Sequence, residues 1–171
     1  MNIAPEEIEI SDALMEAVKA IGQYTSTLVT AATMVQQEYN KLQKSESTSR
    51  YRRDPVWAKG LISSSQQVAA AVTHLVLVSD QITKGEASEE NLIIAAKTVA
   101  AETAKLVAAS SVKSDSKSGS HSKLVEAAKL INQATKDLQQ VAMQAADLKL
   151  EKENQSNGKY KLPNNKIDGI I

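Results

Sequence analysis

The chain has no cysteine and no phenylalanine, and only three prolines and six glycines among its 171 residues. Without cysteine there is no disulfide scaffold, no thiolate zinc site and no cysteine nucleophile. Aromatic residues make up 3% of the chain, a single Trp and four Tyr, so a core has to be filled by aliphatic side chains. Proline is absent between Val56 and Leu162, so nothing in that stretch forces a helix to stop. Twenty basic residues balance twenty acidic ones, which removes the strongly basic footprint of a general nucleic-acid binder. Neither a signal-peptide segment nor a basic face opposite a broad, aromatic-bearing apolar one is present, so the reading is a soluble, intracellular chain without direct membrane insertion.

What the chain does have is alanine, 24 residues or about one in seven. Alanine is the best helix former and lets helices approach closely, which points to an all-α bundle. The periodicity divides the chain into four long helices. The first runs from about Ser11 to Lys44, with Leu14, Val18, Ile21, Thr25, Leu28, Ala32, Val35, Tyr39 and Leu42 on alternating steps of four and three. A polar connection follows (SESTSRYRR), in which Arg50, Arg52 and Arg53 read as loop residues. Asp54-Pro55 then combines a capping carboxylate with a proline that has no N–H to lose at the first helical position. The second helix continues to about Lys84 on the seam Leu61, Ser65, Val68, Val72, Leu75, Ser79 and Ile82, and Gly85 supplies its stop.

Ser88, Glu89 and Glu90 begin the third helix with a capping hydroxyl and two acids against the positive end of the dipole. Its seam is Leu92, Ala96, Val99, Thr103, Leu106 and Ser110, and a Ser/Gly loop follows. The fourth helix has a regular heptad from Leu124 through Ala127, Ile131, Ala134, Leu138, Val141 and Ala145 to Leu148, and ends near Leu150. Residues 151–171, rich in Asn, Lys and Gly, are expected to be a flexible, mostly disordered tail. The expected architecture is thus an antiparallel up-down bundle of four helices over residues 1–150, followed by that tail.

Enzyme chemistry needs convergent polar groups, and the chain is short of them. His74 and His121 are the only histidines, neither with an acid at helical spacing that would make a catalytic pair. There is no Glu-x-x-His of a di-iron bundle, no phosphate-binding glycine loop and no nucleophile elbow. No cofactor is implied.

The unusual feature is a missing charge. Gly60 to Ser79 (GLISSSQQVAAAVTHLVLVS) has no Asp, Glu, Lys or Arg, whereas the outward face of a surface helix normally carries them. That face reads Lys59, Ser63, Gln66, Ala70, Thr73 and Leu77. On the third helix the outward stripe is Ile94, Lys97, Ala101, Lys105, Ala108 and Val112. A charge-depleted centre with lysines around it has the make-up of a protein-docking surface. A helical adaptor that binds another helical protein, or pairs with itself through the uncharged second helix, is the alternative reading.

The stretch Trp57-Ala58-Lys59-Gly60-Leu61-Ile62-Ser63, then Val68-Ala69-Ala70-Ala71, and the run from Asn91 to Ala109 (NLIIAAKTVAAETAKLVAA) resemble the I/LWEQ module found at the C-termini of talins and huntingtin-interacting endocytic adaptors. Its four blocks match the Ile10/Leu14 region, Trp57, Glu89 or Glu90, and the Gln133 region, so the resemblance spans about Ile10 to Leu148.

The resemblance implies F-actin binding without enzymatic activity, by a cytoplasmic, cytoskeleton-associated module at adhesion sites or endocytic patches. It places the actin surface on the second and third helices. The family's Lys-Val-Lys at the end of the third of these blocks corresponds to Ser111, Val112 and Lys113, with one lysine replaced. Ile62 and Val107 match apolar family positions near the surface. With Lys59, Leu77, Ile94, Lys97 and Lys105, these form the candidate actin-binding set. The family core has five helices, the first restraining actin binding, and the match predicts that this chain starts at the second. A dimerising helix beyond the core is also implied, though residues 151–171 lack a sustained heptad, which argues against a homodimer formed through them.

Overall fold

The computed structural model describes residues 5–45, 55–114 and 117–168, with side chains placed over 5–42, 60–114 and 117–158. Within these residues the chain forms four helices, α1 (Pro5–Ser45), α2 (Pro55–Thr83), α3 (Glu89–Lys113) and α4 (Gly119–Asp168). Arg50, Arg52, Arg53 and the Asp54 cap lie outside the described residues, as do the side chains of Trp57 and Lys59.

The helices form a square. α1 packs against α2 and α4, α3 packs against the same two, α1 and α3 meet slightly across the diagonal, and among the described residues the backbones of α2 and α4 do not come close. Pairs near the helix ends give the antiparallel sense: Glu7 of α1 meets Lys152 of α4, and Glu89 of α3 meets Lys149 of α4. At the opposite end Glu38 of α1 receives the hydroxyls of Ser118 and Ser120 from the start of α4.

Alternating steps of three and four residues place one stripe of each helix inward, and the middles of the expected seams are buried; near the helix ends Leu14, Tyr39, Ile82, Val141, Ala145 and Leu148 are half-buried, and Leu42, expected on the α1 seam, is 58% exposed because the packing ends before it. Leu61, Ser65, Val68, Val72, Leu75 and Ser79 of α2 and Leu92, Ala96, Val99, Thr103, Leu106 and Ser110 of α3 are all buried. Alanine fills the layers between the larger residues, with Ala31, Ala32, Ala71, Ala95, Ala96, Ala127, Ala128, Ala134 and Ala142 inside. Buried hydroxyls bond within their own helices: Thr25 to the Ile21 carbonyl at 2.7 Å, Thr103 to Val99 at 2.7 Å and Thr135 to Asn132 at 2.9 Å. Polar atoms can therefore sit in this core without the cost of an unmade hydrogen bond. Gly60–Thr83 is long and apolar enough to cross a membrane, with mean hydropathy 1.4, and Leu61, Val68, Val72 and Leu75 within it are buried in the bundle core.

Two connections follow from local chemistry. Gly85 has φ of 75°, and around it the Gly85 N–H bonds to the Ile82 carbonyl and the Glu86 N–H to Gln81. This paired closure is the Schellman stop, and it selects glycine because the left-handed conformation disfavours a Cβ. Ser118 caps α4, its Oγ accepting the His121 N–H at 3.1 Å.

The structure departs from expectation in two places. Ser88 occupies the N-cap position of α3, but its hydroxyl makes no cap hydrogen bond. Its carbonyl instead accepts the Asn91 N–H, and the adjacent Glu89 turns inward to Lys149. The second departure is at residues 151–168, which continue α4 as helix where a flexible tail was expected. Loss of hydrophobic periodicity after Leu148 marks the end of burial, not of the helix. Glu151, Lys152 and Glu153 are good helix formers, and the Lys152–Glu7 pair ties this turn to the start of α1.

Candidate functional site

α2 and α3 pack side by side, and each exposes the stripe opposite its seam. Ser63, Gln66, Ala70, Thr73 and Leu77 of α2 are exposed, as are Ile94, Lys97, Ala101, Lys105, Ala108, Ser111 and Val112 of α3. The seam residues on the opposite side of each helix force this orientation: with Leu75 and Leu106 packed inside, Leu77 and Ala108 must point away. Leu77, Ile94 and Val112 are 53%, 63% and 74% exposed, a large apolar display for side chains of their type.

Hydroxyls at or beside these positions are satisfied within their own helices. Thr73 bonds to the Ala69 carbonyl, Thr98 to Ile94 and Ser111 to Val107, all between 2.9 and 3.0 Å. These hydroxyls are already engaged with their own helices, which lowers the desolvation cost of covering them. From Gly60 to Ser79 α2 carries no charge, and the described lysines at these positions come from α3. Lys97 and Lys105 are exposed, and Lys105 bonds to Glu102 at 2.9 Å one turn back. An exposed pair of this kind holds the side chain only weakly and leaves the ammonium available.

The candidate residues separate into three groups. Leu77, Ile94, Lys97, Lys105, Ser111 and Val112 share the outer face. Ile62 and Val107 are partly buried, Val107 against the core cluster, at the margin of that face. Lys113 is turned away from it. Its Nζ donates to Gln36 Oε1 of α1 at 3.0 Å and stands 5.2 Å from the centre of the Tyr39 ring. Burial holds its pKa below the ordinary lysine value. Lys113 falls on the next step of the seam after Leu106 and Ser110, so the helical period that points Val112 outward turns Lys113 inward; its partners on α1 are what the pattern does not give.

The residues missed in the sequence lie around this inward lysine and the start of α4. Gln36 is fully buried and bonds the Leu61 N–H at 3.0 Å. Ser110 shares a 2.8 Å hydrogen bond with His121. Glu38 holds both Ser118 and Ser120, bringing a carboxylate to the positive end of α4. Gln36 follows a seam valine, and a lone glutamine beside a seam gives little signal. At the other end of the bundle a groove of about 410 Å³ is lined by Ile10, Leu14, Ile82, Leu92 and Leu148, with Glu89 and Lys149 beside them. Among the described residues, no group of three His, Asp or Glu side chains could hold a metal ion.

Comparison with known proteins places this geometry in a family. The family model of the I/LWEQ domain matches residues 51–167, a range that takes in the helical continuation of α4. Talin-B of Dictyostelium discoideum is 44% identical over 120 residues, covering 70% of this chain and 5% of that protein. Endocytosis protein end4 of Schizosaccharomyces pombe is 37% identical over 157 residues, 88% of this chain and 14% of that protein. Huntingtin-interacting protein 1 of Homo sapiens is 30% identical over 131 residues, 75% of this chain and 13% of that protein. The chain thus spans only a small part of the length of these relatives, and by these matches it belongs to the I/LWEQ domain family.

Proposed function

We propose that the chain is a non-enzymatic F-actin-binding module that lays α2 and α3 along the side of the filament, as part of a cytoskeletal linker. The observation that carries this reading is the outer face of those two helices, apolar at Leu77, Ile94 and Val112, free of charge from Gly60 to Ser79 on α2 and supplied with lysines by α3. Family membership supplies the class of partner, and the face supplies the chemistry.

The division of labour follows from the side chains. Burying Ile94, Val112 and Leu77 contributes roughly 1 to 3 kcal/mol for each well-covered side chain, and the costs of association take back a large part of the sum. Lys97 and Lys105 steer the approach to an acidic surface and fix its register more than they add affinity. Ser63, Gln66, Ala70, Ala101 and Ala108 are small or neutral enough to let a second surface come close. In a cell this activity would place the module on actin at adhesion sites or endocytic patches.

Hydroxyl-radical footprinting of the chain with and without filaments tests the docking face. Protection of Leu77, Ile94 and Val112, with Leu130 and Met143 on the exposed side of α4 unchanged, is the expected pattern. Protection centred on α4 would reject the docking face, and a chain that dimerises through α2 and ignores filaments would favour the helical-adaptor reading.

A further inference from the structure

Three helices meet at one ammonium group. Lys113 is the last residue of α3, and its Nζ shares the Gln36 Oε1 of α1 with the backbone N–H of Leu61 in α2, each at 3.0 Å. Tyr39, one turn beyond Gln36 on α1, presents its ring 5.2 Å from Nζ, within reach of a cation–π attraction. The niche depends on an absent side chain. A Cβ built on Gly60 would come within 2.9 Å of Nζ and 3.7 Å of Cε. Glycine inside a helix is ordinarily a disadvantage compared with alanine, and here its missing Cβ is the space the ammonium occupies.

We propose that Lys113 is a positioning residue for filament docking, seated between α1 and α2 so that the last turn of α3 is fixed and Val112 is held in line with Ile94 and Leu77. The seat stands on the geometry alone; its effect on docking rests on the actin reading above. This departs from the role the family resemblance implies for Lys113, a direct contact with the filament. An ammonium that contacts a partner through the outer face would have to leave Gln36 and Tyr39, and the last turn of α3 would lose this tie to α1. Val112 is the adjoining residue and the most exposed apolar side chain of the face, so it is where a loosened last turn would be felt.

A thermal cycle tests the seat. Lys113→Met keeps most of the aliphatic stem and removes Nζ, the atom a Cβ at position 60 would crowd. Gly60→Ala should raise the melting temperature by about 2 °C in the Lys113→Met background, where only the gain in helix propensity acts, and by clearly less in the parent chain, where Nζ must first leave its seat. The same change in both backgrounds would overturn the seat.

Cosedimentation with filaments tests the positioning, at a temperature where circular dichroism shows both chains fully helical. Lys113→Met should weaken binding by about fivefold or more, with the salt dependence of the parent chain retained. A reduced salt dependence, as expected of Lys105→Met, would identify a direct contact and overturn the proposal. Unchanged affinity would overturn it too, leaving the lysine a purely structural role. A parent chain that does not pellet with filaments would refute the actin reading and with it the docking role, while the thermal cycle would still decide the seat.

Discussion

Replacing Ile94 and Val112 together by glutamate should abolish measurable actin binding while leaving the bundle folded. Both side chains are more than half exposed, so the folded chain loses almost no packing, and surface changes of this kind are usually within about 0.5 kcal/mol. Glutamate is also at least as good a helix former as the residues it replaces. In the complex the situation reverses. Each substitution removes an apolar contact of roughly 1 to 3 kcal/mol and brings a carboxylate to an interface read as lysine-to-acid. Every 1.4 kcal/mol is about a factor of ten in affinity, so the pair should cost on the order of a hundredfold or more. Leu130→Glu is the control, because Leu130 is an exposed leucine on α4, away from the proposed face. Circular dichroism should match for all three chains, and cosedimentation should be lost only for the double variant. Equal binding by the double variant and the control would reject the face.

Leu106→Ala should instead act on the fold. Leu106 is fully buried in the α3 seam, and truncating a buried leucine removes transfer free energy and leaves a cavity, a combined cost of about 2 to 5 kcal/mol. A domain of this kind is held by only about 5 to 15 kcal/mol, so urea denaturation should show the midpoint fall sharply. Val107→Ala, at a partly buried position one residue along, should cost less, because part of that side chain already meets water. Leu106 also lies between the exposed Lys105 and Ala108 in the chain, so a collapse at this position would shift the docking stripe as well as weaken the core. A Leu106→Ala midpoint no lower than that of Val107→Ala would show that α3 is not anchored where its seam indicates.

The seams were legible in the sequence because burial on a helix repeats every three to four residues, and that spacing is written in the chain. Leu61, Val68, Leu75, Leu92, Val99 and Leu106 could be assigned to the core from it, and Leu77, Ile94 and Val112 to the outside by the same reasoning. The turn at Gly85 was legible because its conformation selects glycine. What could not be read was the contact of one helix with another. Gln36 and Lys113 are 77 residues apart, and whether they meet depends on how α1 and α3 are rotated and shifted against each other, which no single helix's periodicity records. Glu89 shows the same limit: its place in the first turn of α3 suggested a dipole role, and its partner proved to be Lys149 on α4. The length of α4 was misjudged because the hydrophobic pattern reports packing, and a solvated helix can continue after packing ends.

The central claim is that this bundle binds filaments through a lysine-flanked apolar face, and high-speed cosedimentation of the parent chain with F-actin at two salt concentrations tests it most directly. The account predicts saturable pelleting at both, weaker at the higher ionic strength because the Lys97 and Lys105 contributions are screened, yet not eliminated because the apolar contacts remain. Absence of saturable pelleting at either concentration would contradict it.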